Sequence, residues 1–206
     1  VKVEKETGTG AVSFQWYKVE GGNATAVGSA ITSNKFDLFT QKLSAGQHTF
    51  RFSATCDGYE KMSQDIVVTV QKANISANLI TPPIAQENLT YTGQEQALIT
   101  AGSVTKYGTM QYSLTENGTY SQVIPTGTDA GTYTVWYRVI GDANHNDTAP
   151  ASVVVSIGKK PLTIAGVTAA SKPYDGTTNA DISSVTFEGS VTLNRGTDYT
   201  VTASFD

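Results

Sequence analysis

Two histidines, one cysteine and one cluster of acid and amide side chains are the residues of this 206-residue chain whose types could do chemistry. A histidine acts as a general base only with a nucleophile or an acid within hydrogen-bond reach. His48 stands in S-A-G-Q-H-T-F (44–50) and His145 in the turn D-A-N-H-N-D (142–147) of a different repeat, and neither is expected to have a nucleophile or acid partner for catalysis. Phosphate cradles need clustered glycines in a strand-loop-helix setting, and none of the 19 glycines here stands in one. The chain is therefore expected to be no enzyme, with no catalytic or cofactor-binding residue and no cofactor. Cys56 is alone and cannot close an internal disulfide, so it reads as a half-buried residue at a strand end.

The segment 142–147 offers carboxylate and amide oxygens of the kind Ca²⁺ prefers, but it lacks the glycine and distal glutamate of an EF-hand loop. An Asx-rich turn between two strands is the favoured reading, and no metal site is assigned. Aromatic residues are the other candidates. On a strand over 132–140, Tyr133, Val135, Tyr137 and Val139 share one face and Thr134, Trp136 and Arg138 the other. With the first set inward, Trp136 faces out. Near Tyr107 or Tyr120 it could stack on a sugar ring, or it simply covers its sheet; the second is favoured.

These residues must be carried by β-structure. The chain is 39% hydrophobic and 16% charged, with 10 tyrosines and many threonines, a composition that suits half-buried pleated surface. The expected strands are 12–19, 35–39, 48–55, 65–70, 96–100, 109–114, 120–124, 132–140 and 151–157. The pair Asn117-Gly118 predicts a tight hairpin turn with positive φ at both residues. No window carries helical periodicity. The net charge of −4 offers no basic patch, so nucleic acid is excluded as a partner, and no apolar run is long enough for membrane insertion. The first residues, V-K-V-E-K-E-T-G, hold no apolar signal core, so the sequence reads as part of a longer protein.

Repetition gives the organisation. S-A-G-Q-H-T-F (44–50) returns some 85 residues later as D-A-G-T-Y-T-V (129–135), and I-V-V-T-V-Q-K (66–72) returns as V-V-V-S-I-G-K (153–159). Three domains are expected: 1–72, 73–160 and a partial one over 161–206. Short polar or proline-bearing joints near 72–77 and 158–161 restrict bending, so an extended arrangement is expected.

The phrase D-x-G-x-Y-x-V, with Asp129, Gly131, Tyr133 and Val135, resembles the entry to strand F of immunoglobulin-like sandwiches. There the residue at Val135 is a core cysteine, and Phe50 holds the matching place in the first repeat. F-Q-W-Y-K (14–18) resembles strand C, which turns Trp16 inward; Trp16 and Val135 are expected to be nearly fully buried. The phrases L-T-Y-T-G-Q-E-Q (89–96), M-Q-Y-S-L (110–114), I-P-T-G-T-D-A-G-T-Y-T-V (124–135) and G-D-A-N-H-N-D-T (141–148) make residues 73–159 similar to the bacterial MBG domain. S-K-P-Y-D-G-T-T (171–178) resembles the related YDG domain, with Tyr174-Asp175-Gly176 answering Tyr91-Thr92-Gly93.

The resemblance implies an all-β chain of tandem immunoglobulin-like β-sandwich domains from a large, exported bacterial cell-surface protein. The expected function is a spacer or stalk and interaction scaffold for adhesion, monomeric, with neighbouring repeats of the same chain as partners and a glycan or host surface protein as a further one. The alternative is a glycan-binding module that makes the contact itself; an enzyme-accessory fragment ranks third.

Overall fold

The computed structural model describes residues 11–29, 36–37, 41–57, 61–189, 193, 195–197, 199–201 and 203–204. The protein is all-β, with a short 3₁₀ turn at Ala77–Leu79. The chain gathers into two compact units, one of Val1–Glu87, Gln96–Gly127 and Thr132–Val155, the other of Asn88–Glu95, Thr128–Gly131 and Ser156–Asp206.

In the first unit, β1 (Ser13–Glu20), β2 (Asn23–Ala26), β3 (Gly46–Thr55) and β4 (Met62–Val70) form an antiparallel sheet in the order β2-β1-β3-β4. Alternation puts Phe14 and Trp16 of β1 on one face with Phe50 and Phe52 of β3. Phe14, Phe50 and Phe52 are buried there. Trp16 stacks on Phe36 with ring centres 4.8 Å apart and tilts against Phe52 at 4.9 Å. The strand phase is as expected, but Trp16 is only half-buried. An indole is large enough that part of it stays in contact with water even when its sheet face is inward. The expected strand over 35–39 falls largely outside the described residues; Phe36 and Asp37 carry no strand.

The same unit continues with short pairings. They are β5 (Ile80–Thr81), β6 (Ile84–Ala85), β7 (Gln96–Ala97), β8 (Ile99–Thr100), β9 (Ser103–Val104), β10 (Gly108–Ser113), β11 (Thr126–Gly127), β12 (Gly131–Gly141) and β13 (Ala151–Ile157). The order β10-β12-β13 makes a three-stranded sheet, beside the pairs β5-β9, β6-β8 and β7-β11. The strand expected over 96–100 is divided at Leu98: Gln96–Ala97 pairs with β11 and Ile99–Thr100 with β6. Leu98 is fully buried at the point where the chain changes partner. Its N–H donates to Pro125 and its carbonyl accepts from Gln86, so the change of side leaves no backbone group unpaired.

Two expectations fail nearby. Neither Asn117 nor Gly118 has positive φ. The turn is closed by the Gly118 N–H donating to the Thr115 carbonyl. A Cβ at Gly118 would lie 2.1 Å from Thr115 Oγ1 and 2.9 Å from Ser113 Oγ, so those two hydroxyls would have to turn aside for any other residue. The strand expected over 120–124 shrinks to one antiparallel bridge, Tyr112 to Ser121. Ser121 Oγ accepts from the Val123 N–H, and Pro125, which has no N–H, follows shortly, so the ladder stops.

The repeated phrases occupy matching places. Strands β3 and β12 both begin at the glycine of their A-G pair and lie centrally in β1-β3-β4 and β10-β12-β13. The register matches too: Phe14 opposes Ala54 and Trp16 opposes Phe52 in one sheet, as Met110 opposes Val139 and Tyr112 opposes Tyr137 in the other. Phe50 and Val135, at the two strand-F core positions, are 1% and 0% exposed.

In the second unit, β14 (Ile164–Ala169) pairs with β16 (Ile182–Phe187) and β15 (Asn179–Ala180) with β17 (Ala203–Ser204). Leu162, Ile164 and Val167 are exposed, whereas Ile182 is buried. The Y-D-G turn is locked by Lys172 Nζ, which donates to both Asp175 carboxylate oxygens and to Thr177 Oγ1, with Gly176 at φ +71°. Tyr174 stands in water beside it.

Candidate functional site

Two surfaces gather the chemistry-bearing residues. One is the loop 142–147 after β12. Asp142 Oδ1 accepts from the Asn144 N–H at 2.8 Å and from His145 Nδ1 at 2.6 Å. Asp147 Oδ1 accepts from the Gly141 N–H at 2.9 Å. The His145 ring stacks on Tyr107, centres 4.1 Å apart, and Lys106 Nζ lies 4.8 Å from the Tyr107 ring centre. Tyr107 has φ 74°, a left-handed conformation that costs a non-glycine residue energy. Its carbonyl accepts from the Asp142 N–H, so the loop helps to hold that conformation.

The outward-facing atoms of this loop hold the joint between the first two repeats. Asn144 accepts twice, its carbonyl from the Ala73 N–H at 2.9 Å and its Oδ1 from the Ala45 N–H at 2.8 Å. The Asn146 N–H donates to the Ala73 carbonyl at 2.8 Å, and its Nδ2 donates to Asn74 Oδ1 at 2.9 Å. Ala45 and Ala73 belong to the S-A-G phrase and the joint of the first repeat. The segment singled out for its oxygens is thus an Asx-rich turn whose side chains are committed to loop and joint bonds, a use that the residue types allowed but that only the pairing reveals.

The pairing of Asp142 with His145, and then the bond from the Asn144 N–H, holds the Asp142 carboxyl below its ordinary range. A lowered folded value means that this stabilisation is present above the unfolded carboxylate range, about 4, and is lost as pH falls through the folded value. The protection of the Ala73 and Ala45 amides, taken relative to their intrinsic exchange rate at each pH, is accordingly expected to fall on acidification. Asp142→Asn, whose carbonyl oxygen still accepts both bonds, is expected to flatten that acid limb; an unchanged limb would place the titrating group elsewhere.

The other surface is the outward face of β10 and β12. Trp136 opposes Ser113 and Arg138 opposes Gln111, and because alternate residues share a face all four point to one side. The Tyr112–Ser121 bridge brings Tyr120 alongside, and the Arg138 guanidinium lies 4.3 Å from the Tyr120 ring centre. Burial raises the Tyr120 hydroxyl's pKa, with Arg138 opposing; the hydroxyl donates to the Glu116 carbonyl. Trp136 is half-buried on the predicted face, with no aromatic partner among the described residues. Tyr107 is taken by the joint and Tyr120 by Arg138, so neither stacks with Trp136. The sequence placed Arg138 on the face of Trp136 without giving it a role, and Gln111 was not singled out at all, because its place opposite Arg138 comes from the pairing.

The remaining candidates serve the scaffold. His48 Nε2 donates to the Ser44 carbonyl at 2.8 Å, and Cys56, in no disulfide, is half-buried directly after β3.

Comparison with known proteins adds one assignment. Residues 158–206 match the family model of the YDG domain, the segment whose K-P-Y-D-G-T turn is described above. No curated protein matches the chain.

Proposed function

We propose that this chain is part of the non-catalytic repeat region of a large bacterial cell-surface protein, where immunoglobulin-like modules act in tandem as a spacer and interaction scaffold for adhesion. Its setting is extracellular, and its closest partners are neighbouring modules of the same chain. The observation that carries the reading is the equivalence of the two sheets β1-β3-β4 and β10-β12-β13, which share order and register around repeated phrases. A spacer gains length by repeating one unit and stiffness by fixing each joint. The bonds from Asn144 and Asn146 to Ala45, Ala73 and Asn74 are joint-fixing contacts of that kind. The YDG match over 158–206 and the MBG resemblance of 73–159 support the same setting. In this role both histidines are structural, His48 closing the turn before β3 and His145 bracing the joint loop.

Small-angle scattering of the whole chain in dilute solution tests the proposal. A single globule of this length has a radius of gyration of about 17 Å. A clearly larger value with the skewed distance distribution of a rod is expected. Asn144→Ala with Asn146→Ala should broaden that distribution without unfolding either sheet. A symmetric distribution near the globular value would refute the spacer.

A further inference from the structure

The outward face of β10 and β12 carries a group whose hydrogen-bonding capacity the fold does not use. Arg138 stacks its guanidinium face on Tyr120, yet among the described residues it makes no hydrogen bond or ion pair, and its Nε is buried without a partner. Stacking occupies the flat face of a guanidinium and leaves its edge of N–H donors free for a planar bidentate acceptor. The Nε is closed to solvent, so a bound carboxylate would pair with the Nη1 and Nη2 N–H groups, in the charge-assisted geometry that is among the stronger hydrogen bonds.

The surroundings narrow the acceptor. Gln111, directly opposite Arg138, has a side-chain amide with no hydrogen bond among the described residues, so it offers both a donor and an acceptor. Trp136, two residues before Arg138 on the same face, presents a half-buried indole. Between Trp136 and Tyr120 lies Ser113, small and buried, and the Arg138 guanidinium reaches past it to Tyr120, which places the guanidinium beside the indole. Trp136 and Tyr120 stand two strand spacings apart, about 10 Å. A flat apolar surface beside an amide and a guanidinium edge complements a ring with one apolar face, equatorial hydroxyls and a carboxylate.

We infer that Trp136, Arg138, Gln111 and Tyr120 form a binding site for a carboxylated pyranose, a uronic or sialic acid residue of a glycan. The carboxylate takes the guanidinium edge of Arg138, a ring hydroxyl pairs with the Gln111 amide, and the apolar ring face lies on Trp136. Glu116 bears on Tyr120 as a negative charge and opposes an anion at this place. This site is independent of the spacer role, since a module can both extend a stalk and hold a sugar.

The test is titration of the whole chain with trigalacturonate and with sialyllactose, against galactotriose and lactose as neutral controls, followed by amide shifts and indole fluorescence. Binding of either acidic probe at least tenfold tighter than its neutral control is expected, weakening as salt is raised. The probe that binds names the source of the carboxylate. Arg138→Gln should bring the acidic probe to the level of its neutral control, Trp136→Ala should abolish binding, and Glu116→Gln should strengthen it. Equal binding of acidic and neutral probes, or no shift on this face at millimolar probe, overturns the site. The wild-type comparison and Glu116→Gln decide the matter even where Arg138→Gln disturbs the sheet.

Discussion

Phe50→Ala is expected to destabilise the first sheet by about 3 to 5 kcal/mol, the usual cost of deleting a buried aromatic ring and leaving its cavity. Phe50 is 1% exposed at the centre of β3, tilted against Phe36 at 5.5 Å, between the ladders to β1 and β4. A loss of this size is a large share of a small domain's total stability. Hydrogen exchange at β3 amides should therefore approach that of a largely unfolded segment, while β12 amides change little. Equal acceleration in both strands would show that the two sheets melt as one body and would count against separate modules. Val135→Ala, at the matching position of β12, should reverse the pattern at smaller size, since fewer atoms are removed.

Gly141→Ala should do comparable local damage by a different mechanism. A Cβ there would lie 2.3 Å from the His145 carbonyl oxygen and 2.8 Å from that of Asn146, closer than real contacts allow. Both atoms are backbone, so the 142–147 loop must move, and overpacking of this kind costs about 1 to 3 kcal/mol. The displaced loop carries Asn144 and Asn146, so protection of the Ala45 and Ala73 amides should fall most. Gly108, which opposes Gly141 across the ladder, is as tightly placed, with Ile140 O 2.5 Å from a built Cβ. Gly108→Ala is expected to distort β10 without releasing the joint. If Gly141→Ala leaves the Ala45 amide protected, the loop does not hold the joint.

Strand existence and phase were legible because they depend on alternation and local propensity. The resemblance to strand F of immunoglobulin-like sandwiches placed Val135 in the core and Phe50 at the matching position, and the strand over 151–157 was predicted with its observed bounds. The failures share a cause, a choice between competing partners. Leu98 divides one apolar run between two pairings, and Ser121 gives its side-chain oxygen to Val123 where a ladder was expected to continue. Asn117-Gly118, strong as a dipeptide signal, sits in a turn closed by the Gly118 N–H on the Thr115 carbonyl and has positive φ at neither residue.

The candidate sites divide in the same way. Residue types and the two-residue strand period by themselves determined that Trp136 and Arg138 share the outer face of β12 and that 142–147 is a polar turn. Only the tertiary structure decided what those groups touch. Asp142 and His145 meet each other, Asn144 meets Ala45 and Tyr120 meets Arg138 because antiparallel pairing brings distant segments together. That register is fixed by the packing of whole sheets, a sum over many weak contacts that no single phrase of the sequence displays.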